Sequence, residues 1–309
     1  MSEFRIVSLI PSATEMVAAL GLESALVGRS HECDYPAGVK DLPICTEPKF
    51  DPVGDSGTIH QRVTDLLQSA LSVYRVDIEQ LRSLQPTHIL TQAQCEVCAV
   101  SLGDVEQAVA DLGPTKPQLI SLQPNTLAEV WADLDHVATA LQLDSQPCLT
   151  ALRDRLHRCQ QAAARSPKHP TVLCIEWTDP LMSAGNWVPE LVTLVGGTAL
   201  CAETGKHSAW LTWAQICQAD PDVIIAMPCG YDLAQTIETT QAIARHQPAW
   251  SQLKAVQQAE VYAVDGNAFF NRPGPRLVES AEILAEILQP QHCNFGWQGQ
   301  AWQRMPVPS

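Results

Sequence analysis

Residues 6–21 read IVSLIPSATEMVAALG. Together with the two residues before it, the start of this stretch makes 4–10 alternate enough to be a strand. Pro11 suits a first helical position, and the apolar positions that follow reach Leu20 before Gly21 stops them. Ser12 or Thr14 is the capping candidate for that helix. A second apolar run over residues 25–28 follows at once, so the chain opens as strand, helix, strand. Two strands joined through a helix pair in parallel.

The same grammar continues outward. Residues 38–60, rich in Pro, Asp and Gly, read as loop. A helix over 77–84, a strand over 86–90, a helix over 104–112 and a strand over 118–122 complete a first series. Residues 125–164 then carry apolar positions at helical spacing, interrupted at Asp144-Ser145-Gln146-Pro147. After the break at 166–170 a second series begins. It has strands at 171–175, 221–227 and 261–264, and helices at 189–195, 213–218 and 277–288. The halves echo each other: QLRSLQPTHIL at 80–90 parallels QICQADPDVII at 215–225. The expectation is an α/β chain of two lobes with mainly parallel sheets, at 1–123 and 170–309. Segment 124–169 is the connection and includes a long interlobe helix.

Open α/β sheets bind ligands beyond the carboxyl ends of their strands. Four strand ends here lead into packets of polar chemistry: GRSHECDYP at 28–36, TQAQCEVC at 91–98, EWTDP at 176–180 and PCGY at 228–231. Two fall in each half, which predicts a cleft between two lobes. The candidate ligand contacts are Pro11, Ser12, His31, Glu32 and Tyr35 from the first half. From the second come Glu176, Trp177, Trp187, Cys229, Tyr231, Phe269 and Arg272. Large indoles beside acids suit a flat, partly polar macrocycle, although tryptophans are as often packed inside. Arg272 offers bidentate donors to amide or carboxylate groups, whereas Arg276 reads as structural, paired with Glu279 or a helix end. His207 is a loop histidine, read as solvated or as an axial ligand.

Cys95 and Cys98 have metal-ligand spacing, and His31 with Cys33 would complete four ligands for zinc or iron. A single CxxC is equally two thiols at a turn, one packed and one exposed. Cys229 reads either as a thiolate ligand or as a small residue filling space. Cys148, Cys159, Cys174 and Cys217 fall in helical or strand patterns and read as core.

Composition narrows the partners. A net charge of −15 without any basic run argues against nucleic acid and anionic membrane surfaces. No stretch approaches the ~18 apolar residues of a membrane helix, and residues 1–10 lack the pattern of a secretory signal. The expected location is therefore cytoplasmic, the partner a small molecule, with no membrane insertion.

IVSLIPSATEMVAALG with LVGRSHECDYP, the helix–Pro–strand units at 80–90 and 215–225, and residues 249–288 resemble the periplasmic binding proteins for iron-siderophores, haem and vitamin B12. DYP at 34–36 and RPGPR at 272–276 look closest to the cobalamin-binding members. The resemblance implies the class III fold of that family, two lobes joined by one rigid helix, with cobalamin or another corrinoid as ligand. It also implies a glutamate on each lobe for docking to an importer permease. Glu79 matches the first, but Ala214 stands at the second, so permease coupling is not expected. No G-x-S-x-G, H-E-x-x-H, P-loop or G-x-G-x-x-G pattern occurs, which favours binding over catalysis. The alternative is an enzyme or metal protein using Glu176 or Asp179 as base together with a thiol.

Overall fold

A computed structural model describes residues 4–68, 73–92, 101–112 and 116–306. The chain divides into two compact units: residues 1–54, 58–124 and 128–150 form the first, and 55–57, 125–127 and 151–309 the second.

In the first unit β1 (Ile6–Ser8), α1 (Pro11–Ala19) and β2 (Leu26–Arg29) realise the opening strand, helix, strand. The N-cap of α1 is Ile10, extended at φ −151° and ψ 141° as a residue before proline must be, and it makes no side-chain cap. Ser12 and Thr14 therefore lie inside the helix, contrary to the capping expectation. Next come β3 (Thr46–Pro48), α2 (Ser56–Leu67) and β4 (Tyr74–Val76). β3 and β4 form a separate antiparallel pair, Thr46 opposite Val76. The sequence hid it because three residues are too few to show a period. α3 (Ile78–Leu84) is capped by the Asp77 carboxylate on the Gln80 N–H, and is followed by β5 (His88–Gln92), α4 (Leu102–Asp111) and β6 (Gln118–Leu122). The sheet runs β2-β1-β5-β6, parallel throughout. Its core joins Val7, Leu9 and Ile89 with Leu81 and Val105 from the covering helices. Removing such apolar area from water contributes about 25 cal/mol per Å².

α5 (Leu127–Ala140) and α6 (Gln146–Ala163) occupy the connecting segment. That segment is not a body of its own: residues 128–150 group with the first unit and those from 151 with the second. The 18 residues of α6, about 27 Å at 1.5 Å each, thus begin in one unit and end in the other.

The second unit contains β7 (Thr171–Thr178), β8 (Leu181–Ser183), α7 (Val188–Leu194), β9 (Thr198–Ala199), α8 (Trp213–Ala219), β10 (Val223–Ala226), α9 (Leu233–His246), α10 (Lys254–Gln257), β11 (Val261–Val264), α11 (Leu277–Leu288) and β12 (Trp302–Arg304). The sheet order is β12-β11-β10-β7-β8, with β9 also paired to β7. β7, β9, β10 and β11 are parallel, while β8 and β12 run antiparallel. α9 escaped the periodicity because threonines dilute its apolar face. What starts it is a capping box in which Asp232 and Gln235 exchange side-chain and backbone bonds. The C-terminal segment is held by α11: the Glu286 carboxylate accepts the backbone N–H groups of Phe295, Gly296 and Trp297 and the Trp302 indole N–H. β12 thereby covers the edge of β11.

Candidate functional site

In the second sheet, β7 is joined through the chain to β9 on one side and pairs with β10 on the other. The direction of winding reverses between β7 and β10, which is where open α/β sheets leave a crevice at their carboxyl ends. The ladder continues past the end of β10 there: the Met227 N–H donates to the Ile175 carbonyl at 2.8 Å and the Cys229 N–H to the Glu176 carbonyl at 3.1 Å, both acceptors within β7. This fixes residues 228–231 beside Glu176 and Trp177. The Trp177 and Tyr231 rings meet edge-to-face with centroids 5.6 Å apart. The Trp177 indole N–H is taken by the Asp179 carbonyl at 3.0 Å. Burial pushes the Tyr231 phenol up to about 12, so it stays a neutral hydroxyl.

Glu176 is half-buried, and its environment is built. The Gly185 N–H donates to the Ser208 hydroxyl oxygen at 3.1 Å, and the Ser208 hydroxyl donates to Glu176 Oε2 at 2.7 Å. Burial raises the Glu176 pKa, with Ser208 and the Gly185 N–H pulling it back. The loops that carry these donors are locked together by the Asn186 N–H on the Lys206 carbonyl and the Gly205 N–H on the Asn186 carbonyl. Residue 185 must be glycine, because a Cβ there would stand 2.5 Å from the Lys206 carbonyl oxygen.

The loop after β11 closes on the same edge. A Cβ on Gly266 would lie 2.2 Å from the Pro228 oxygen, and the Asn271 amide donates to the carbonyls of Met227 at 3.0 Å and Gly266 at 2.8 Å. Arg272 is buried and donates to Asn267 Oδ1. Phe269 is buried against Trp297, with the Arg276 guanidinium 4.4 Å above its ring. Trp187 is 5 % exposed, and its indole N–H bonds the Phe270 carbonyl at 2.6 Å. Trp187 and Phe269 thus pack and pin the loop after β11, where the sequence suggested ligand contacts. Glu279 pairs with Arg155, and Arg276 rests on Phe269. Cys229 and His207 are exposed.

In the first unit the turn after β2 is organised by Arg29, whose guanidinium donates to the carbonyls of Ser30, His31, Cys33 and Lys40. The Thr46 hydroxyl donates to Ser30 Oγ, so His31 Nδ1 donates to Thr46 at 2.8 Å and Nε2 remains the acceptor. Burial lowers the His31 pKa and favours this neutral ring. Tyr74 lies 5.0 Å from His31 by ring centroids and donates its hydroxyl to Glu32 at 3.1 Å. Tyr35 is exposed. Pro11 and Ser12 begin α1, both buried, and the Ser12 hydroxyl has no hydrogen-bond partner among the described residues.

Cys33 is fully buried, with its sulfur accepting the Thr14 hydroxyl at 3.0 Å, and so packs as a small core residue instead of facing an ion. Among the described residues, no three His, Cys, Asp or Glu side chains converge as a metal site. Cys95 and Cys98 lie outside the described residues. Cys159 and Cys174 are buried, and burial lifts both thiols to about 12; Cys148 is half-buried. Cys217, expected in the core, is exposed on α8.

Glu176, Trp177, Cys229 and Tyr231 are brought to one sheet edge as the sequence suggested. Ser208, Thr46, Tyr74 and Asn271 were missed. Asn271 at least lay within the polar stretch after the last parallel strand. Ser208 sits in a loop with no pattern to mark it.

A family model described as periplasmic binding protein matches residues 6–268. An uncharacterised ABC transporter substrate-binding lipoprotein of Bacillus subtilis is 25% identical over 296 residues, covering 93% of this chain and 80% of that protein. The vitamin B12-binding protein of Vibrio cholerae (strain O395) is 25% identical over 289 residues, covering 92% and 89%. Among solved structures, a periplasmic haem-binding protein from Pseudomonas aeruginosa superposes with a TM-score of 0.71 at 18% identity, covering 99% of both chains.

Proposed function

Because the chain belongs to the periplasmic binding protein family, we propose that it binds a corrinoid at the carboxyl ends of its strands. The family consists of substrate-binding proteins and not enzymes. One observation carries the proposal: the Trp177–Tyr231 pair standing at the β7/β10 reversal with the Glu176 carboxylate beside it. A flat macrocycle with polar side chains is met by ring edges and faces for its plane and by an acceptor for its periphery. The vitamin B12-binding relative and the DYP and RPGPR stretches favour a corrinoid over haem. In the first unit, the neutral His31 ring and the Tyr74–Glu32 pair form a second polar group at a strand end.

Coupling to an importer permease is not part of this function. Glu79 on α3 is exposed and already paired with Arg82, and α8 presents Ala214 where the resembled family carries its second acid. A charge-paired dock that lacks one partner is weakened.

The test is a titration with cyanocobalamin, dicyanocobinamide, haemin and a ferric hydroxamate, followed by absorbance and melting temperature. A bound ligand at 100 times its dissociation constant stabilises the fold by about 2.7 kcal/mol. A shift with the corrinoids is expected. No response to either corrinoid refutes the proposal.

A further inference from the structure

Resting on the corrinoid proposal, we infer that Glu176 sets which macrocycle is accepted, by taking peripheral carboxamides and refusing peripheral carboxylates. The relay into this side chain runs one way. The Gly185 N–H donates to Ser208, and the Ser208 hydroxyl donates to Glu176 Oε2. Both protein hydrogens are thus directed toward the carboxyl group, and what its oxygens offer a ligand is acceptor capacity. A primary amide has two N–H donors to match it. A ligand carboxylate brings only acceptors and a like charge, and a locked loop cannot turn away to relieve the clash. The Gly185 backbone is packed against Lys206 and Ser208 too closely for a Cβ, so the acceptor is held in place before a ligand arrives.

The surrounding charges agree. Asp55 acts on Tyr231, and Asp232 acts on Asp265. Arg272 donates to Asn267 and acts on Asp265, and Arg276 lies over the face of Phe269. Lys206 is exposed, and its carbonyl is the part that holds the loop. A macrocycle bearing neutral amides meets acceptors here, whereas one bearing carboxylates meets a like group at Glu176. Discrimination of this kind combines an attractive contact with a repulsive one.

The experiment compares dicyanocobinamide, whose periphery is amide, with the heptacarboxylate dicyanocobyrinic acid, by absorbance titration at about pH 8. The wild-type chain should prefer the amide form by about 100-fold, the scale of a charged hydrogen bond gained against one refused. Glu176→Gln keeps the shape but adds an N–H donor and removes the charge, and should narrow the preference by about tenfold, chiefly by admitting the acid. Ser208→Ala keeps the charge and loosens it, and should narrow the preference by about threefold. Melting curves establish that each variant is folded. Should Glu176→Gln not fold, the wild-type ratio and Ser208→Ala decide. A wild-type ratio near one, or a ratio that no folded variant moves, overturns this inference while leaving corrinoid binding standing. A wild-type chain that binds neither corrinoid overturns both.

Discussion

Gly266 gives the sharpest test of how the strand ends are held in register. Its backbone passes so close to the β10 end that an added Cβ would stand 2.2 Å from the Pro228 oxygen and 2.7 Å from the Met227 carbonyl carbon. Ordinary contact needs about 3.4 Å, so Gly266→Ala forces a backbone movement of roughly 1 Å on one side or the other. Overpacking of this kind costs about 1–3 kcal/mol, and backbone-on-backbone contact belongs at the upper end because no side chain can rotate away. Gly266 is not in the left-handed region, so alanine regains about 0.5 kcal/mol by restricting the unfolded chain. The net expectation is a loss of about 2 kcal/mol, a fall of roughly 4–8 °C in the melting of the second unit by calorimetry. Affinity should fall as well, because residues 228–231 carry Tyr231 toward Trp177. The control is Gly103→Ala near the start of α4, where nothing among the described residues lies within 4 Å of the new methyl and a helix gains a better former. If Gly266→Ala melts within a degree of the wild type, or the two variants shift alike, the close-approach reasoning is wrong.

Three further outcomes follow from the same geometry. The Asp133 carboxyl on α5 is pushed up to about 6 by burial, and its Oδ2 has no hydrogen-bond partner among the described residues; the stability it contributes as the neutral acid is full below about pH 4 and lost as pH rises through 6. Asp133→Asn should therefore stabilise the fold at pH 8 by about 1–2 kcal/mol, discounted for remaining solvent contact, and do nothing at pH 3.5, read by denaturant midpoints at both values. Arg155→Ala strands the nearly buried Glu282 together with Glu279 and should cost about 3–4 kcal/mol in urea unfolding, against less than 1 kcal/mol for Arg82→Ala at the exposed pair with Glu79. Trp187→Phe, losing the bond to the Phe270 carbonyl, should lower stability by about 1–3 kcal/mol, while Trp177→Ala should weaken corrinoid binding and leave the melting point nearly unchanged; the opposite pattern would exchange their roles.

The parallel core of each unit was readable because burial on both faces leaves a mark in sequence. The run over 261–264 and the helix over 277–288 were placed to the residue, and 118–122 likewise. The strands that escaped, β3, β4, β8, β9 and β12, are two or three residues long, and their existence depends on a partner strand elsewhere in the chain. α9 escaped for a different reason, since its start lies in a local exchange of hydrogen bonds that hydropathy does not register. The candidate site divides in the same way. Cys229 and Tyr231 follow β10 as read from sequence, whereas Glu176 and Trp177 lie within β7, which runs three residues past the apolar run to Thr178. Which of the aromatics face outward does not follow, because Trp177 and Trp187 sit in similarly polar surroundings in the chain. What separates them is the acceptor each indole reaches. The Trp187 N–H finds a carbonyl 83 residues away, across the loop after β11, and is drawn inside. The Trp177 N–H finds one two residues on, in its own turn, and its ring is left at the edge of the sheet beside Tyr231. A local bond keeps a side chain near its own strand end, while a distant one commits it to the packing between elements. The sequence positions of the two tryptophans cannot express that difference, and only the closed fold does.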